Sequence, residues 1–161
     1  MKIKNLEKDV IFNWDEGEST SGGILNLDSS QESIVVKYQF SDEEDIETHL
    51  PPSQEQLELL ENFILTISVF KESFTQAVQK HYQTHLTDWV LPEDRPKVEK
   101  LLNLPLHELE TLFSKPCVGV DIDNNVRFGY YSCPFDEHGA AVLIHDGQIQ
   151  QVSHAVDLLR F

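Results

Sequence analysis

Apolar and polar positions alternate strictly from Ser33 to Phe40, which puts Ile34, Val36, Tyr38 and Phe40 on one face and Val35, Lys37 and Gln39 on the other. That period belongs to a half-buried strand. Before it, Asp9-Val-Ile-Phe-Asn-Trp-Asp is rich in β-branched and aromatic residues and reads as a first strand; Glu16–Gly23 reads as a loop and Ile24-Leu-Asn-Leu as a second strand. After Ser53 the period lengthens. Leu57, Leu60, Ile64, Ile67, Phe74, Val78 and Tyr82 form one stripe of an amphipathic helix facing a sheet. Ser53 followed three residues later by Gln56 is a capping box that starts it. The β-branched run Ile64-Leu-Thr-Ile-Ser-Val is weakly helical and predicts a break near Ser68, hence two helices.

Trp89–Pro96 reads as a linker, followed by short helices over Lys97–Asn103 and Leu106–Phe113 with Leu101, Leu102, Leu109, Leu112 and Phe113 inward. Beyond Pro116, which ends the helical region, the strand pattern returns at Cys117–Ile122, Val126–Ser132, Ala140–His145 and Gln148–Ser153. Asp123-Asn-Asn and Gly139 suit turns with positive φ, and Asp146-Gly147 is a two-residue hairpin signal. Loops this short pair strands antiparallel. The apolar Ala155–Phe161 end is expected to be tied onto the body.

The prediction is therefore an α+β fold, one domain over residues 1–161, with strands within 9–40, helices within 53–113 and an antiparallel meander over 117–153. An antiparallel sheet from the N- and C-terminal strands packs against the central helices. Whether the two sets of strands share one sheet stays open at this stage.

Charge changes the functional picture. The chain has 12 Lys+Arg against 28 Asp+Glu, a formal net charge of −16. A field of that sign disfavours nucleic acid and anionic membranes as direct partners and favours a cationic protein. No signal-peptide pattern or long apolar run is read, so a cytoplasmic protein is expected, with Cys117 and Cys133 reduced.

Candidate chemistry is sparse. His81 and His85 stand at i and i+4, the spacing of a zinc pair, but Tyr82 occupies the place of a general base and no third ligand is evident; a polar helix end explains them better. Asp121-Ile-Asp-Asn-Asn resembles the start of a calcium loop, but Val126 and Ser132 stand where Gly and Glu are required, so a hairpin turn is the better reading. Asp136-Glu137-His138 could hold an acid, a base and an orienting group. Against it, no Ser or Cys nucleophile falls in a recognisable motif, and a turn in which the Asp136 carboxylate accepts backbone N–H bonds accounts for the same residues. No catalytic residue, cofactor or metal is assigned.

Trp14-Asp15, Pro52-Ser-Gln-Glu-Gln, His81-Tyr82, Cys133-Pro-Phe-Asp-Glu-His-Gly-Ala-Ala-Val and His145-Asp-Gly-Gln-Ile together resemble a family of uncharacterised bacterial domains with a late Cys-x-Trp-Asp-x-Glu-His-Gly-like strand. Pro134 or Phe135 replaces that family's Trp, and Ala141 its second Gly. Such families resemble small acidic immunity proteins, which implies a non-catalytic role: binding and neutralising a bacterial toxin, plausibly a cationic nuclease. The expected partner is thus a basic toxin domain, met by Asp42, Glu43, Glu44, Asp45 and Glu47 or, as a second surface, by Asp15, Glu16 and Glu18. The alternatives are a small enzyme using Asp136, Glu137 and His138, and a structural or regulatory module. Oligomeric state is not legible.

Overall fold

The computed structural model describes residues 6–15, 18–27, 32–43 and 46–161. Glu16, Glu44 and Asp45, three of the acidic candidates, lie outside the described residues.

Helix α2, Gln54–Thr84, is the longest element, and it starts where the sequence indicates. The Ser53 side chain accepts from the Gln56 N–H at 3.1 Å, and Gln56 Oε1 accepts from the Ser53 N–H at 3.0 Å. Leu57, Leu60, Ile64, Phe74, Val78 and Tyr82 are buried along its inner face, joined by Phe63, which the stripe had omitted. The expected break near Ser68 does not occur: α2 runs 31 residues without interruption. Ile64, which opens the β-branched run, and Phe74, one turn beyond it, are anchored in the core, while Leu65 and Val69 face outward. Tertiary packing at both ends of the run overrides its weak propensity.

Among the described residues, seven strands form one mixed sheet in sequence order: β1 Asn13–Trp14, β2 Thr20–Asn26, β3 Ser33–Gln39, β4 Ser114–Val120, β5 Val126–Ser132, β6 Ala140–His145 and β7 Gln148–Ser153. All neighbours are antiparallel except β3 and β4, which pair parallel with Val35 opposite Cys117. The α+β class thus holds, and the antiparallel sheet is corrected to a mixed one. The cause is the connection: α2 and the helices after it carry the chain from the end of β3 back to the start of β4, a crossover that returns it in the same direction.

Three local expectations are also corrected. The first strand shrinks to β1, because Leu6 and Val10 are buried one helical turn apart and make α1, Leu6–Asp9, which docks on α2 through a Leu6 N–H bond to Glu61 Oε1 at 2.9 Å. The second begins at Thr20, inside the expected loop, because Gly23 lets the Ile11 backbone and a Val10 methyl pass where a Cβ would collide. Pro116 lies within β4 rather than before it, one residue beyond the end of the β3 pairing, where a missing N–H breaks no ladder on that side.

The remaining helices are α3 Leu86–Trp89, α4 Arg95–Leu102, α5 Leu106–Glu110 and α6 Ala155–Leu158. Leu102, Leu109 and Phe113 point inward and Leu101 is half-buried, but Leu112 is exposed because α5 ends before it. One face of the sheet carries the main core with α2, including Val36, Val118, Phe128, Tyr130 and Val142. The opposite face carries a smaller cluster of Cys117, Ala141, Ala155, Leu158 and Leu159 under the C-terminal residues. At the β4–β5 turn the Asp121 carboxylate accepts from the Asp123 and Asn125 N–H groups and pairs with Arg127 at 2.9 Å, with Asn124 at φ 61°. Asp146 and Gly147 both have positive φ, as a two-residue β6–β7 hairpin requires. No helix among the described residues is long and apolar enough to cross a membrane.

Candidate functional site

Two places on the fold concentrate polar side chains, one at each end of α2. Near its C-terminus the chain from Cys133 to Gly139 turns on Asp136: its Oδ1 accepts from the His138 N–H at 2.8 Å, its main-chain oxygen from the Gly139 N–H at 3.2 Å, and Gly139 takes φ 72°. This is the Asx-type turn that the residues suggest. The carboxylate nevertheless does more than close a turn. Tyr82, from the last turns of α2, donates its hydroxyl to Asp136 Oδ2, and His154, just before α6, lies with Nδ1 2.8 Å from the same oxygen. His138 Nδ1 is 3.4 Å from Oδ1. The Asp136 side chain is 7% exposed and that of His138 54%.

Aromatic rings fix this network. Trp89 stacks on His154 with ring centroids 4.3 Å apart, meets Tyr82 edge-on at 5.3 Å and His81 at 4.5 Å. Burial first, then the hydrogen bond to Asp136, raises the Tyr82 pKa far above the phenol range, so the tyrosine stays a donor. His81 is pushed below the ordinary imidazole value, chiefly by burial and then by His85 and His154, and its Nε2 is buried without a hydrogen-bond partner among the described residues. A cleft of about 560 Å³ opens beside Asp136 and His138, with Trp89, Lys97 and Cys133 in its wall. Burial pushes the Cys133 thiol up to about 12, so it is no nucleophile near neutral pH.

Of the expected trio, Asp136 and His138 come together and Glu137 does not join them. Its side chain is 89% exposed and comes no nearer than 4.0 Å to His138 Nε2. Sequence reasoning missed His154 and Tyr82 as partners. Tyr82 stands out in the sequence as a core position of the helical stripe and as part of the His81-Tyr82 step of the resemblance, and nothing in the local pattern ties His154 to a carboxylate 18 positions away.

At the other end of α2 the two acidic stretches meet. Trp14 stacks on His49 at 5.5 Å with ring planes 12° apart and touches Phe40 at 6.3 Å, while the Phe40 N–H donates to the Ser19 carbonyl at 3.0 Å. Tyr38 and His49 share a 2.6 Å hydrogen bond below them. Asp15 and Glu18, joined by a Glu18 N–H bond to the Asp15 carbonyl at 3.0 Å, are thereby held beside Asp42, Glu43 and Glu47, all five acids exposed. Between Phe40 and Leu50 runs a groove of about 300 Å³ that also contacts Ile46, and Leu50 is 52% exposed.

No family model, curated protein or solved structure matches the chain.

Proposed function

We propose that the chain is a non-catalytic, acidic binding protein of the immunity type that captures a basic toxin domain, such as a cationic nuclease, on the face that presents Trp14, Asp15, Glu18, Phe40, Asp42, Glu43, Glu47 and Leu50. One observation carries the reading: the Trp14–His49 stack holds Asp15 and Glu18 beside the loop with Asp42, Glu43 and Glu47, where Phe40, Ile46 and Leu50 line a groove that has Glu43 and Glu47 in its wall. A rim of like charge steers a cationic partner and raises the association rate, and half-buried aromatic and aliphatic side chains in the middle supply the contacts that slow release. The net charge of −16 extends the same field over the whole molecule.

The test is calorimetric titration of the chain with the basic product of the adjacent gene at increasing NaCl. Affinity is expected to fall steeply with salt, and the double substitution Asp42→Lys, Glu47→Lys to weaken it at least about tenfold, mostly by slowing association. Binding that ignores both salt and the double substitution overturns the assignment of this face.

A further inference from the structure

At the opposite end of α2, about 40 Å along the helix axis from the acidic face, the donor set around Asp136 has a chemistry that the binding reading leaves unused. We propose that Asp136, His138 and His154 form a binding site for a divalent transition-metal ion, of the two-histidine, one-carboxylate kind. One ligand atom from each of these residues falls within 4.8 Å of the others. Ligands bound at ~2.0–2.1 Å in a tetrahedron stand roughly 3.3 Å apart. One Asp136 oxygen, Oδ1, is 3.4 Å from His138 Nδ1 and the other, Oδ2, is 2.8 Å from His154 Nδ1, so a single carboxylate oxygen reaches both imidazoles once side-chain rotation closes the set from its 4.8 Å span.

The three residues come from two segments far apart in sequence, which is how a site gains rigidity. Asp136 and His138 belong to the β5–β6 connection, and His154 lies between β7 and α6. The Val156 N–H donates to the His138 carbonyl at 3.2 Å, holding the two segments together independently of the side chains. Around the donors stand the groups that orient ligands in metal centres: the Tyr82 hydroxyl fixes the carboxylate, and the Trp89 ring fixes the plane of His154. Imidazole and carboxylate together select zinc-like and iron-like ions over magnesium or calcium, which take oxygen alone. Three protein ligands leave a fourth position for water, and the exposure of His138 puts that position at the mouth of the cleft. The nearby pair His81 and His85, with ring centroids 4.6 Å apart, is the competing location, and the experiment separates the two.

Metal-stripped full-length protein is titrated with Co²⁺, whose visible bands report four-coordinate geometry, and then with Zn²⁺ in competition. Expected are one equivalent of Co²⁺ with intense visible bands, its displacement by Zn²⁺, and a Zn²⁺-dependent rise in melting temperature. His138→Ala is the principal variant because its side chain is exposed and its loss spares the fold; it and His154→Ala should weaken binding at least tenfold. Tyr82→Phe should weaken it roughly tenfold through the loosened carboxylate, whereas Glu137→Gln and His85→Ala should leave it unchanged. The proposal is overturned by absence of binding at millimolar Co²⁺, by His138→Ala binding as the parent does, or by loss of binding in His85→Ala with His138→Ala unaffected. Circular dichroism of each variant confirms that the fold is intact.

Discussion

Cys117 is fully buried in the small cluster on the outer face of the sheet, and burial pushes its thiol from the ordinary 9.0 up to about 11, with Lys37 and Tyr131 pulling weakly the other way. An acid whose folded pKa lies above its unfolded value holds its proton more tightly when folded. Its contribution is therefore present below pH 9.0 and is lost as pH rises through about 11. Two pKa units correspond to roughly 2–3 kcal/mol. The stability of the parent chain should fall by that order between about pH 8 and 12, and Cys117→Ala should remove that part of the slope; urea titrations of both proteins across the range check it. Parallel pH profiles for the two would show that Cys117 is not the group responsible. At the same scale, the sequence reveals Asp136 only as a turn residue, since Asp-x-His-Gly has a local meaning. Its second role comes from Tyr82 and His154, and contacts that close only in three dimensions leave no mark on local pattern.

Gln56 shows how one residue can set an element. Its side chain closes the α2 capping box, and its Nε2 also donates to the Gln39 carbonyl at 2.7 Å, and more weakly to that of Asp121, so the helix start is clasped to the ends of β3 and β4. Only the first half of this arrangement is legible, because a capping box is a spacing in sequence and the strand-end contacts are not. Truncating Ser53 to Ala removes one side-chain cap and should cost about 1 kcal/mol. Gln56→Ala also leaves the half-buried Gln39 carbonyl without this partner and opens a small cavity, so about 2–4 kcal/mol is expected. Chemical denaturation should place Gln56→Ala well below Ser53→Ala; equal losses would mean that the clasp adds nothing to the cap. The same distinction explains the other elements. The strands β5, β6 and β7 match their expected bounds because each ends in turn chemistry written locally, whereas the continuity of α2 through Ser68 depends on what Ile64 and Phe74 pack against.

For the whole molecule, the sequence carries the α+β class and the alternation of strands and helices, and the long helical connection before β4 was itself a signal for the parallel junction: a strand that leaves a sheet through helices can return in the direction it left. Charge works at this scale too, and with opposite signs for folding and binding. With 28 acids against 12 Lys and Arg, the folded chain compresses like charges that the unfolded chain spreads apart. The Arg127–Asp121 pair is largely shielded from solvent, so added salt screens mainly the exposed surplus of acid. Raising NaCl from about 0.02 to 0.3 M shortens the screening length from roughly 20 Å to about 6 Å. That relief should be worth on the order of 1 kcal/mol, read as a rise of roughly 2–4 °C in melting temperature at pH 7. Over the same range the affinity for the proposed basic partner should fall, because the field that strains the fold is the field on which the proposed binding relies. A melting temperature that drops with salt would mean that attractive pairs, not surplus acid, dominate the surface, and would remove the physical basis for proposing that Asp15, Glu18, Asp42, Glu43 and Glu47 meet a cationic partner.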